Sequence, residues 1–292
     1  MVAMRYLILI VSGLTLGSIY SLIAIGFNLV FRTTGLIDFA QGDKAVLGGL
    51  VALSLINLHI PMPLVILTIV LLGIGFGALY DQAVIRPAQR HGPSAAVVGT
   101  VGASLVIGSA ALVIWGPSGI AFPPITAGGF QISSLQITYQ TVWIWGTLAV
   151  VVTALLTLMK RTRFGKGMVA AASDPLAAVA VGISIRAARL TSFAIATALA
   201  ALAGILIAPI TLAGGGIGGT LTIKGFTGAV LGGIDNTIGV VGGSLILGVT
   251  ETMLQGELSN NGYVDPIVFG LLLVVLLVAP TGLFGARRGR LA

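Results

Sequence analysis

Cysteine is absent, which excludes disulfides and thiolate metal sites and leaves the redox compartment unreadable. Charge is nearly absent too: 8% of the 292 residues are Asp, Glu, Lys or Arg, where a soluble domain carries about 25%. Histidine occurs twice, as His59 and His91, and neither has a neighbour at metal-ligand spacing. No G-x-x-x-x-G-K-[ST] loop is present; the nearest stretch, FGKGM at 164–168, lacks the first glycine and the hydroxyl residue. Gly214, Gly216 and Gly219 satisfy G-x-G-x-x-G only formally, because an apolar run and not a strand precedes them. The expectation is a protein with no metal, no cofactor and no catalytic residues, hence not an enzyme.

What is present is apolar. With 57% hydrophobic residues and a mean hydropathy of +1.10, the chain cannot clothe itself in hydrating groups, so its solvent is lipid. The net charge of +7 fits basic residues gathered at the cytoplasmic ends of membrane helices better than it fits nucleic acid. The N-terminal apolar run reaches Phe31, longer than a signal-peptide core, and reads as a first membrane helix.

The sequence therefore predicts an all-α polytopic integral membrane protein, a single transmembrane domain over residues 1–292. About eight hydrophobic segments fall near 7–31, 45–58, 63–85, 95–115, 139–159, 190–212, 240–255 and 264–284. Glycine, 42 residues, recurs in small-xxx-small pairs such as Gly13/Gly17, Gly73/Gly77, Gly228/Gly232 and Gly239/Gly243. Such pairs let helix backbones approach closely.

Eleven of the fifteen basic residues lie in three clusters: Arg86 and Arg90; Lys160, Arg161, Arg163, Lys166, Arg186 and Arg189; and Arg287, Arg288 and Arg290. The positive-inside rule places all three in the cytoplasm. The uncharged loop 116–138, the N-terminus and the interfacial Trp115, Trp143 and Trp145 then lie outside. Parity works only if 225–255 dips in from outside and returns, and GFTGAVLGGIDNTIGVVGG has the short apolar piece, polar tip and second apolar piece that a dip needs. Irregular backbone at membrane depth must be surrounded by protein or by a watery cavity.

GLIDFAQGDKAVLGG at 35–49 has the same form and puts Asp38, Asp43 and Lys44 within seven residues. I37-D38-x-x-x-G42 parallels I234-D235-x-x-x-G239, and transporters often place interrupted helices at corresponding positions of internal repeats. Asp38 is expected to face a pathway, with Lys44 nearer water or paired with Asp43. In the basic loop 160–189, Asp174-Pro175 reads as a helix start, LAAVAV as a short helix and Gly182 as its left-handed stop. Such a helix either packs on the membrane surface or docks into a groove on a partner protein.

Three stretches in order carry a resemblance. GLTLGSIYSLIAIGFNLVFRTTGLIDFAQGDKAVLGG, TRFGKGMVAAASDPLAAVAVGI and GFTGAVLGGIDNTIGVVGGSLILG resemble motifs of the permeases of branched-chain amino-acid (Liv-type) ABC importers, spanning residues 13–248. The resemblance implies that Arg163, Gly165, Ala172, Asp174, Pro175, Ala178, Gly182 and Ile183 belong to a helix that couples to an ATPase. It implies a translocation pathway at Asp38, Phe39, Gln41, Gly42 and Asp43, and at Gly232, Gly233, Asp235, Asn236 and Gly239. It implies as partners a second homologous permease subunit (LivM-like), two cytosolic ATPase subunits and an extracytoplasmic solute-binding protein, all at a prokaryotic cytoplasmic (inner) membrane. Asp38, Gln41 and Asp43 stand where that family commonly has Asn, His and Glu, and Asp235 where Gly is common, so amides, urea-like compounds or other carboxylates stay open beside branched-chain amino acids. A different class remains open as well: an ion-coupled secondary transporter or channel that uses the intramembrane carboxylates Asp38, Asp43 and Asp235.

Overall fold

The computed structural model of the protein describes residues 2–126, 128–132, 135–173, 175–211, 214, 216–258, 260–279 and 281–285. Asp174 and the cluster Arg287, Arg288 and Arg290 lie outside the described residues. Helices dominate. In chain order they are α1 (Val2–Thr34), α2 (Gln41–Asn57), α3 (Met62–Tyr80), a π-helical turn (Asp81–Ile85) leading into α4 (Arg86–Gln89), and α5 (Pro93–Trp115). A short antiparallel pair, β1 (Gly129–Ile132) and β2 (Leu135–Thr138), aligns Gly129 with Thr138. Then come α6 (Tyr139–Arg161), α7 (Arg163–Ser173), α8 (Pro175–Ala180), α9 (Ile185–Thr211), α10 (Gly218–Gly232), α11 (Thr237–Glu257), a 3₁₀ turn (Asn261–Tyr263) and α12 (Val264–Val278).

Six helical stretches among the described residues are long and apolar enough to cross a membrane: α1, α3 continued through α4, α5, α6, α9 and α11. The chain is thus the all-α polytopic protein its composition predicts. Both interruptions fall inside the expected windows, at 35–40 and 233–236. Three details differ. α10 starts at Gly218, ahead of the apolar piece expected from 225, in a stretch whose hydropathy Gly218, Gly219 and Lys224 dilute. The stretch after Lys160 forms α7 because the Thr162 hydroxyl accepts the Gly165 N–H and caps a helix there. The hairpin 129–138 is a local β element within the outer loop.

α1 and α9 are the central helices, most of their length buried, while α3, α5 and α6 turn most of their surface outward. All four glycine pairs make the close approaches their spacing suggests. A Cβ on Gly17 would come within 2.8 Å of Leu245 Cα on α11, and one on Gly13 within 2.5 Å of Val249 Cα. Gly73 and Gly77 receive the α9 backbone at Ala198 and Phe193–Ala194. Gly228 and Gly232 interlock with Gly239, Gly243 and Ser244 across the α10–α11 turn. A bilayer gives no hydrophobic drive between helices, so these van der Waals contacts bind them.

The two ends of the bundle are distinct. Trp115, at the end of α5, donates to Ser54 Oγ, and Trp143, in the first turns of α6, donates to Thr126 Oγ1. At the other end lie Arg32, Lys160 and the clusters at 86–90 and 186–189. α11 runs antiparallel to α1, from Thr237 beside Asn28 to Gly256 beside Arg5. The α10–α11 pair turns back on itself, α10 leading to the basic end and α11 leading away from it. Its tip goes all the way to that end, where Asp235 and Asn236 share a cavity with Arg32 and Lys160.

Candidate transport and coupling sites

The first break is tied by hydrogen bonds to α5, α9 and α10. Phe39 N–H donates to Thr100 Oγ1 on α5 at 3.2 Å, and Gln41 Nε2 donates to the Ala196 carbonyl on α9 at 2.8 Å. Thr222 on α10 accepts the Gly42 N–H at 2.9 Å and donates to the Phe39 carbonyl at 3.2 Å. Gly42 must be a glycine because Gly218 and Thr222 occupy the space a Cβ would take. The Phe39 and Gly42 N–H groups and the Phe39 carbonyl are thereby satisfied inside the protein, as a break at membrane depth requires.

Charge is handled the same way. Lys44 pairs with Asp38, and Tyr80 Oη donates to Asp38 Oδ1 at 2.9 Å. The ammonium lies 3.5 Å from the Tyr80 ring centroid, a cation–π geometry that strengthens when water is excluded. Lys44 and Asp38 are both buried. This corrects the expectation that Lys44 lies near water or pairs with Asp43. Asp43 instead accepts from Ser104 and rests against Gly218, the start of α10.

The second break begins at Gly233, whose φ of +92° is left-handed and suits glycine. Asn236 caps α11 by accepting the Ile238 N–H at 3.2 Å, and its Nδ2 donates to the Phe284 carbonyl at 3.0 Å. Asn28 on α1 donates to the Ile234 carbonyl and accepts from Thr237 Oγ1. Asp235 is exposed at the tip.

Asp38, Phe39, Gln41, Gly42 and Asp43 thus form one cluster, and Gly232, Gly233, Asp235, Asn236 and Gly239 another. They sit at opposite ends of α10, about 22 Å apart by helix rise.

Two further ion-pair groups lie outside the expected site residues. Lys224 on α10 holds Glu251 at 2.6 Å and Asp265 at 3.1 Å, with Tyr20 Oη donating to Glu251. Arg189, at the start of α9, donates to Asp81 in the π-helical turn at 2.6 Å and to Gln89 at 2.7 Å. The signal available was only that Lys224 and Asp81 are isolated charges in apolar runs, and such charges need partners.

At the basic end, α7 and α8 fold back under the bundle. Gly165 lies against the Leu158–Met159 backbone, and Met168, Ala171, Ala178 and Ala188 pack with Leu29. Gly182, at φ +83°, stops α8, with Gly182 and Ile183 N–H groups donating to Val179 and Ala178 carbonyls. Arg163, Ala172 and Pro175 fall within these two helices. The end of α8 and the turn after it are open: Val179 is 56% exposed and Val181, just past the helix, 75%.

The family described as "Branched-chain amino acid transport system / permease component" matches residues 9–277. The chain is 32% identical, over 96% of each chain, to the high-affinity branched-chain amino acid transport system permease protein BraD of Pseudomonas aeruginosa. It is 31% identical, over 94% of each, to the permease protein LivH of the same kind of system in Escherichia coli. To the probable branched-chain amino acid transport permease protein LivH of Methanocaldococcus jannaschii it is 26% identical, over 90% of this chain and 88% of that one. No solved structure matches.

Proposed function

The chain belongs to the family of branched-chain amino acid transport system permease components, and from that premise we propose how it works. It is a multi-pass permease subunit of an ABC importer in a prokaryotic cytoplasmic membrane, and it hydrolyses no ATP itself. Its solutes are branched-chain amino acids or related small polar compounds such as amides. It pairs with a second homologous permease chain (LivM-like), receives solute from an extracytoplasmic binding protein, and is driven by two cytosolic ATPases.

The observation that carries this reading is the α7–α8 segment. It is anchored to the bundle by an apolar face at Met168, Ala171 and Ala178, and it presents Val179 and Val181 away from it. Exposed valines at the basic end are apolar surface that a groove on an ATPase would bury. Motion imposed on α8 passes directly to α9, which follows it. α9 reaches the first break through Gln41 and reaches α3 through the Arg189–Asp81 pair. Alternating exposure of the pathway then follows from shifting packed elements that have two arrangements.

An ion-coupled carrier finds less support. Of the three carboxylates such a carrier would use, Asp38 is already held by Lys44, Asp43 accepts from Ser104, and Asp235 is exposed at the tip. The test is reconstitution with the second permease chain, the ATPases and the binding protein. ATP-dependent uptake of leucine is expected, and uptake driven by an ion gradient without ATP overturns the proposal.

A further inference from the structure

A cavity of about 530 Å³ opens at the basic end of the bundle, between the last turns of α1 and α6, α7, and the tip joining α10 to α11. Arg32, Lys160, Asp235, Asn236 and Thr237 supply its polar lining, and Val169 of α7 closes one side. The cations here differ from those buried in the bundle. Lys44, Arg189 and Lys224 each hold a carboxylate. Among the described residues the Arg32 guanidinium bonds only Met159 Sδ, at 3.7 Å, and neither Arg32 nor Lys160 forms an ion pair, although Asp235 lines the same space. Two cations and one carboxylate leave the cavity net positive.

Depth decides what kind of anion fits. Arg32 and Lys160 stand at the ends of two membrane-crossing helices on the side of the basic clusters, the level at which lipid phosphates lie. The rest of the wall, including Leu156 and Ile238, is apolar and suits a glycerol backbone and the first carbons of an acyl chain. Basic pockets between membrane helices on the cytoplasmic side are built to take anionic headgroups.

We propose that this cavity binds the phosphodiester headgroup of an anionic phospholipid, with Arg32 and Lys160 as its cationic ligands. A lipid seated there touches α7 on one side and the 233–236 tip on the other. It therefore lies between the segment read as the coupling device and one of the two helix breaks.

The test uses the full-length protein reconstituted with equal phosphatidylglycerol and phosphatidylcholine, then extracted and examined by native mass spectrometry. Wild type is expected to retain phosphatidylglycerol selectively. At about 1 kcal/mol per basic residue, R32Q/K160Q is expected to retain it roughly thirtyfold less while eluting as the same monodisperse species. D235N, which removes the one repelling charge at an exposed position, is expected to raise retention about fivefold. R32K/K160R should keep it. Equal retention by wild type and a well-folded R32Q/K160Q overturns the proposal. If R32Q/K160Q does not fold, unchanged or lower retention by D235N overturns it instead. Displacement of the lipid by millimolar inorganic phosphate assigns the site to free phosphate and overturns the lipid identity, as does equal retention of phosphatidylcholine.

Discussion

Lys44 and Tyr80 form a single unit: the ammonium lies over the ring at 3.5 Å, while the tyrosine hydroxyl and the ammonium hold the two oxygens of Asp38. A carboxylate that looks in the sequence like an exposed pathway group is thereby neutralised within the chain. Its first role is to let the helix break exist where water does not reach.

Removing one member should therefore damage the fold as well as transport. Asp38→Leu leaves Lys44 buried without a counter-charge, and Lys44→Met does the converse; each is expected to cost about 3–5 kcal/mol. The double variant Asp38→Leu/Lys44→Met should recover most of that loss. Thermal melting of the purified proteins checks it, and single variants that melt like wild type contradict the assignment.

Arg189 joins the start of α9 to the π-helical turn after α3. Arg189→Lys, which keeps a cation beside buried Asp81 but loses the fork that also reaches Gln89, should weaken coupling by roughly 5–150-fold, the usual range of such linkages. The readout is uptake per ATP hydrolysed in the reconstituted complex: uptake should fall while hydrolysis persists. Equal losses of both would point to a folding defect.

Glycine contacts give a sharp contrast between two positions. A Cβ at Gly248 would collide with the α1 backbone at Gly13 and Gly17, whereas one at Gly75 meets nothing within 4 Å. Gly248→Ala is expected to lose about 1–3 kcal/mol, and Gly75→Ala nothing measurable. Detergent stability by size-exclusion chromatography separates them.

Val179 and Val181 touch no core, so charging them spares the fold. Val179→Asp/Val181→Asp should leave the melting temperature unchanged and weaken association with the partner ATPase about tenfold or more, as loss of a buried apolar anchor does. Unaltered association would place the docking surface elsewhere.

Much of this architecture was legible because lipid imposes strong rules. Apolar runs located the spans, glycine spacing located the tight crossings, and Gly-Asp-Asn at 233–236 located a break. The partner of Lys44 was harder. Asp43 is its sequence neighbour, but adjacent residues on a helix point about 100° apart. Asp38 reaches the ammonium because the backbone folds back through 35–40. Asp81 and Arg189 are 108 residues apart, so their pairing exists only through the packing of α3 on α9. Only the second half of α10 was legible as an apolar piece, because Gly218, Gly219 and Lys224 lower the hydropathy of its first half.

Thr222 carries a mechanical consequence. One hydroxyl grips both flanks of the first break, at Phe39 and Gly42, and it belongs to the second turn of α10. The beginnings of α2 and α10 are thus fastened into one joint. Any stroke that swings one must carry the other with it, and α10 delivers that displacement as a stiff rod to the 233–236 tip at its far end.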